Sequence, residues 1–321
     1  MRAFERIADL LDSDVGSAIV GPERLPLNKG AFSNISPACE DRLVFVDSGS
    51  GDILSSSHAS VSLLRLCVVH YVNNKRASFD RREWFVVISP RSKDGSWEYS
   101  VVFLSRNGDV LRELSVNPLS PSISSNGRPA TASSVLGVVR KLVEFETCAS
   151  ELSSISSGIV VRDGDLEADN EVLSDALGNI LRFANSSSLF ALGLSKSSRL
   201  LTDKGVSAQV ALDSIAPEGA WVYDVGANIV FLKLHSRSNH IFRCDLISRR
   251  SDDNKVWSAL VANASDPSFL GYPYGLADAD KFAQVTMREA SSLRAHFALV
   301  TRERFSSWES CLNAHDILNK L

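Results

Sequence analysis

Three carboxylates stand at positions where their chemistry would matter. Asp47 closes the apolar run RLVFV in the stretch FVDSGSG, and Asp163 closes the run GIVVR and is followed at once by Gly164. Glu144 lies in VRKLVEFETCASEL, a segment of helical periodicity that leads into the Asp163 run. If the two apolar runs are adjacent parallel strands, both aspartates emerge at one sheet edge, the place where α/β proteins bind ligands. Carboxylates a few Å apart repel unless a proton or a divalent cation sits between them. An all-oxygen set suits Mg²⁺ or Mn²⁺ better than zinc. Two such ions would support phosphoryl chemistry, one activating water and the other stabilising the leaving oxygen.

Taken alone, FVDSGSG leaves three chemistries open. An aspartic protease presents its carboxylate in a D-S-G turn, a sugar or acetate kinase cradles phosphate in a D-x-G turn, and a metal-dependent nuclease sets a ligand aspartate at a strand end. The protease needs a second D-[ST]-G, which the chain lacks; only a homodimer sharing Asp47 would supply it. The kinase reading expects further glycine-rich phosphate loops, and no G-x-x-x-x-G-K-[ST] occurs. Asp-Ser-Gly and Asp-Gly are also ordinary turn pairs, and Glu144 with Arg140 one helical turn before it reads equally as a surface pair.

The elements that must position these residues follow from apolar periodicity. Helices are expected over 4–12, 132–154, 168–186, 204–214, 252–263, 276–294 and 303–320. Strands are expected over 42–47, 61–72, 84–89, 97–104, 158–162, 189–195, 221–225, 228–235, 240–247 and 296–301. Residues 21–40 read as a long loop or arm, and the Ser/Asn/Pro-rich piece 115–131 as a flexible surface connection. Strands followed by alternating helices and strands describe an α/β protein with a mixed central sheet flanked by helices. The division expected is an N-terminal helix and arm, 1–40, and a single domain, 41–321.

Bulk properties narrow the classes. A chain of 321 residues with 44% hydrophobic content can bury a substantial core. No apolar run approaches the roughly 18 residues that span a bilayer, and the acid-containing amphipathic N-terminus is unlike a signal peptide. A soluble, cytoplasmic protein without membrane contact is expected. The five cysteines Cys39, Cys67, Cys148, Cys244 and Cys311 form no zinc spacing, so they read as structural thiols in a reducing compartment. A net charge of −4 excludes a global basic field, leaving nucleic acid to a local groove. The candidate is the cluster Lys75, Arg76, Arg81 and Arg82 between Tyr71 and Trp84, although a solvated hairpin end explains it as well.

Four motifs together resemble the NurA nucleases, which work with the HerA hexameric ATPase in DNA end processing. FVDSGSGDI is similar to the family's strand ending V-D-G/S-G-S. VRKLVEFETCASEL followed by IVVRDGDLE resembles its helix glutamate and D-G-S-L strand end. FALGLSKSSRL is similar to the next strand and its lysine-bearing turn, and GYPYGLADADKFAQV to the late G-Y-P segment. The resemblance runs from about Asp41 to Val300. It implies an RNase H-like fold, a homodimer, Mn²⁺-dependent cutting of single-stranded DNA and 5′ to 3′ resection of duplex ends.

Carried over by residue, the resemblance makes Asp47, Glu144 and Asp163 metal ligands, Tyr272 a tyrosine near the site and Lys196 a phosphate contact. Two ions are expected, Mn²⁺ or Mg²⁺. The chain departs from the family where a histidine is common: it has Ala279-Asp280, and Asp280 is then an acidic fourth ligand. Ser48 stands where glycine is common and Asp165 where serine is. Such changes also fit a catalytically weak docking subunit of a HerA-type ATPase. The N-terminal helix, the arm and the terminal helix with Trp308 and Leu312 are the expected partner surfaces.

Overall fold

The computed structural model describes residues 3, 4, 6, 15–40, 42–56, 59–121, 123–124, 127–184, 188–248, 252–302, 304–305 and 308. Thirteen strands are described: β1 (Ser17–Val20), β2 (Glu23–Pro26), β3 (Phe32–Asn34), β4 (Arg42–Ser55), β5 (Ser60–Val72), β6 (Lys75–Lys93), β7 (Ser96–Leu104), β8 (Val110–Val116), β9 (Gly158–Asp163), β10 (Leu189–Ser195), β11 (Trp221–Asp224), β12 (Ile229–Lys233) and β13 (Phe242–Leu246). Six helices are described with them: α1 (Ala132–Ser154), α2 (Glu171–Ala184), α3 (Ala208–Ile215), α4 (Asn254–Asn263), α5 (Tyr274–Ala283) and α6 (Met287–Thr301). Eleven strands form one mixed sheet in the order β3-β11-β12-β13-β10-β9-β4-β5-β6-β7-β8. Only β4 with β9 and β9 with β10 pair in parallel.

Strand parity divides the core. Val44, Val46 and Val160 face α1 and α2, while Leu43, Phe45, Ile159 and Val161 face the side covered by α4 and α5. Helix α1 begins after Pro129 with Thr131 as N-cap, its side chain accepting from the Ser134 amide at 3.2 Å. It buries Val135, Val139, Leu142 and Val143 on one stripe. Among the described residues no helix is long and apolar enough to cross a membrane.

Several expectations need correction. Residues 21–40 are not a long loop: they carry β2, a short 3₁₀ turn and β3, and β3 forms one edge of the main sheet against β11. The sheet thus draws strands from both sides of the expected 40/41 division. FVDSGSG is no turn, because β4 continues through it in register with β5 as far as Asp52, where a bulge shifts the pairing before Leu54 and Ser55. Strand β6 is far longer than 84–89, since Asn73 and Asn74 make a left-handed tight turn that starts it at Lys75. Its polar first half hides the pattern. Strand β8 was not expected, and 296–301 is the last part of α6 and not a strand. No breaker follows the Thr286 cap, and Leu299 and Val300 stay exposed on that helix.

The span 276–294 is broken between α5 and α6, where Gln284 is extended and its carbonyl accepts from Arg65. The expected helices 4–12 and 303–320 lie largely outside the described residues, as do Leu312 and Cys311. Cys67, Cys148 and Cys244 are buried and Cys39 is exposed.

Candidate metal centre

The parallel pairing of β4 with β9 reaches Val46 opposite Arg162, which sets Asp47 and Asp163 side by side at the next position. Both follow the parity of Phe45 and Val161 and so point to the α5 side. From that side α5 brings Asp280. One carboxylate oxygen from each of Asp47, Asp163 and Asp280 lies within 4.8 Å of the others. Asp47 is buried, Asp163 half-buried and Asp280 exposed.

Two glycines explain how α5 comes so close. A Cβ on Gly275 would meet the Phe45 ring at 2.1 Å, and one on Gly49 would meet the Ala283 carbonyl oxygen at 2.4 Å. The helix is seated at both ends on bare backbone, and Asp280 lies between the two contacts. The glycine of D-S-G therefore serves helix packing.

Glu144 arrives from the opposite face. Arg162, one residue before Asp163, has the other parity and points toward α1, where its Nε and Nη2 reach Glu144 Oε2 at 2.7 and 2.6 Å. The Ser48 hydroxyl donates to Glu144 Oε1. Glu144 is 2% exposed and both its oxygens are engaged, so its carboxylate is bonded to Arg162 and Ser48 rather than gathered with the aspartates. The expected surface pair with Arg140 is absent: Arg140 donates to the Ser48 carbonyl. Asp165 is ion-paired with Lys141. Ser48, Arg140, Lys141, Glu144, Arg162 and the three aspartates line one open pocket of about 560 Å³ at the sheet edge.

Lys196 and Tyr272 meet Asp163 directly. Lys196 Nζ donates to Asp163 Oδ2 at 2.8 Å and Tyr272 donates to the same oxygen at 3.1 Å. The lysine also lies 5.0 Å from the Tyr272 ring centroid. Burial works against its charge, but the Asp163 carboxylate outweighs it and holds Lys196 above its ordinary value. Burial, then Asp163, pushes the Tyr272 phenol upward, so it remains a donor.

Electrostatics single out Asp47. Burial first, then the charges of Glu144, Asp163 and Asp280, raise its carboxyl to about 8, although the Ser48 amide donates to it at 2.7 Å. Three oxygen donors that cannot all ionise cheaply, with no histidine or cysteine among them, fit a hard divalent cation.

The expected basic face on β6 is mostly paired. Arg76 reaches Asp278 at 2.9 Å, Arg82 reaches Asp80 at 2.8 Å and Arg81 lies 3.6 Å from Glu83. Tyr71 is buried with its hydroxyl on Asp278, and Trp84 packs against the core. The sequence reading missed Arg162, whose signal was a lone cation inside a β-branched strand.

No protein-family model matches the chain, and no curated protein matches it. Among solved structures, the NurA nuclease from Sulfolobus solfataricus superposes with a TM-score of 0.55 over 85% of this chain and 88% of that one, at 11% identity. The catalytic domain of human Endonuclease V, at 12% identity over 83% of this chain and 93% of its own, aligns more loosely with a TM-score of 0.41. At these identities the likeness is one of fold: the mixed sheet and flanking helices of this chain have the RNase H-like architecture of the NurA nuclease.

Proposed function

We propose that this protein is a metal-dependent DNA nuclease that hydrolyses phosphodiester bonds. The observation that carries the reading is the convergence of Asp47, Asp163 and Asp280 within 4.8 Å at the edge of an RNase H-like sheet. Those three side chains would hold the cation, Mn²⁺ or Mg²⁺ and two ions in the full reading. Bound there, it would supply an activated water and charge stabilisation for a phosphoryl oxygen. Glu144 could join only if its pair with Arg162 opened.

The chain's own residues supply the rest. Tyr272 and Lys196 fix the orientation of Asp163 through a shared oxygen, and Lys196 would meet a DNA phosphate on exchanging that contact. Asp280 is exposed and takes the role of a ligand in this reading. The finer assignment is single-stranded cutting and 5′ to 3′ exonuclease action in double-strand-break resection, by a homodimer working with a HerA-type hexameric ATPase. It rests on the four sequence motifs.

A second reading has one observation in its favour. Arg162 neutralises Glu144 and Lys196 neutralises Asp163 within the same pocket, an arrangement that suits a weak or inactive docking subunit of such an ATPase. Cleavage of end-labelled single-stranded DNA in Mn²⁺, Mg²⁺ or EDTA separates the two. Metal-dependent cutting that Asp163→Ala abolishes supports the nuclease. Folded wild type that cuts no DNA in either ion refutes it and leaves the docking subunit.

A further inference from the structure

A second cavity, of about 380 Å³, opens beside the acidic pocket, and Lys196 lines both. Its volume falls within the roughly 300–1,000 Å³ of small-ligand sites. The walls are aromatic. Phe269 is 50% exposed, its ring parallel to that of His240 within 13° and 5.5 Å from that of Tyr272. Tyr272, whose hydroxyl bonds Asp163, is thus the partition between the two cavities.

The platform is rigid. The turn bearing Phe269 is held by the Gly271 amide donating to the Ala264 carbonyl at 2.8 Å. A Cβ on Gly271 would strike Ser238 at 2.3 Å, so this turn is pressed against the loop that carries His240. The Ser238 hydroxyl accepts from the His240 amide at 3.1 Å. The braced turn leaves the Phe269 ring half-exposed at the cavity, where a planar group could lie against it.

Charge decides what that would be. Beyond Lys196 at the partition and the rings of His240 and Tyr272, the polar lining groups are Asp213, Asn239 and Gln209, and Asp213 is the carboxylate among them. A carboxylate repels phosphate but accepts hydrogen bonds from an exocyclic amine, and stacking on an aromatic ring is available to every base. We infer that this cavity receives the nucleobase next to the scissile phosphate, stacked on Phe269, with Lys196 marking the passage from base to backbone. This rests on the nuclease reading and names the groups that would hold the base of the single strand proposed there, since a base must leave its stack to enter.

The test measures binding apart from cutting. Fluorescence anisotropy, with Ca²⁺ replacing the activating ion, compares a labelled single-stranded oligonucleotide with one carrying abasic sites, on wild type, Phe269→Ala and Phe269→Tyr. Stacking energies predict about tenfold weaker binding for Phe269→Ala, near-wild-type binding for Phe269→Tyr, and no effect of either change on the abasic strand. Equal losses on both strands, or none on the normal strand, overturn the inference while the nuclease reading stands. Wild type that neither binds nor, in Mn²⁺, cuts single-stranded DNA sinks both.

Discussion

The two sides of one sheet edge carry carboxylates with opposite fates. Toward α1, Glu144 and Asp165 are matched by Arg162 and Lys141, and that side is close to neutral. Toward α5, Asp47, Asp163 and Asp280 face one another with Lys196 as the cation bonded to Asp163. The difference comes from strand parity: a single residue step from Arg162 to Asp163 changes which face the side chain serves. The Glu144 carboxylate is matched by its own arginine, whereas the three aspartates exceed the cation bonded to them.

The largest test of that contrast is catalytic. Asp163→Ala should lower kcat/KM on single-stranded DNA by at least about a thousandfold, ~4 kcal/mol, with thermal unfolding little changed. Arg162→Met should do the reverse to the protein itself. It strands a buried Glu144 charge and costs about 3 kcal/mol, read by urea denaturation. If both variants lose only activity, the division of the edge into structural and functional halves is wrong.

A smaller effect tests how α5 delivers Asp280. Gly275→Ala sets a methyl into the Phe45 ring and should cost ~1–3 kcal/mol, with weaker Mn²⁺ affinity as the helix lifts. Unchanged affinity would show that Asp280 is not needed.

The remaining test is pH. The Asp47 carboxyl is raised from an ordinary 3.8 to about 8 in the folded protein, so the fold binds a proton that the unfolded chain releases. That contribution is complete below the unfolded value and is lost as pH rises through about 8. Without divalent metal, Tm should therefore fall across that window, and Asp47→Asn should flatten the decline. A Tm equally pH-dependent in wild type and Asp47→Asn would reject this account of Asp47.

Much of this was legible in the sequence for a physical reason. The runs RLVFVD and GIVVRD are apolar and rich in valine, so they read as buried strands, and the parallel pairing that the sequence reading took as a condition is present in the sheet. The partner of Glu144 was hidden because parity acts through space: nothing in local spacing says that Arg162 and Glu144 meet across a sheet face. FVDSGSG misread as a turn because its glycines resemble turn residues, when Gly49 makes room for the end of α5 and Gly51 for Val285 and for Ala290 of α6. Phe269 and His240 escaped notice because two separate loops bring them together. The α6 misreading came from a β-rich composition, HFALVT, overruled by an N-cap ten residues before it.

The most direct measurement is calorimetric titration of Mn²⁺ into metal-free wild type and Asp163→Ala at pH 8. The account predicts saturable binding to wild type that the substitution removes. Equal binding to both proteins, or none to folded wild type, would contradict the assignment of the three aspartates as a metal centre.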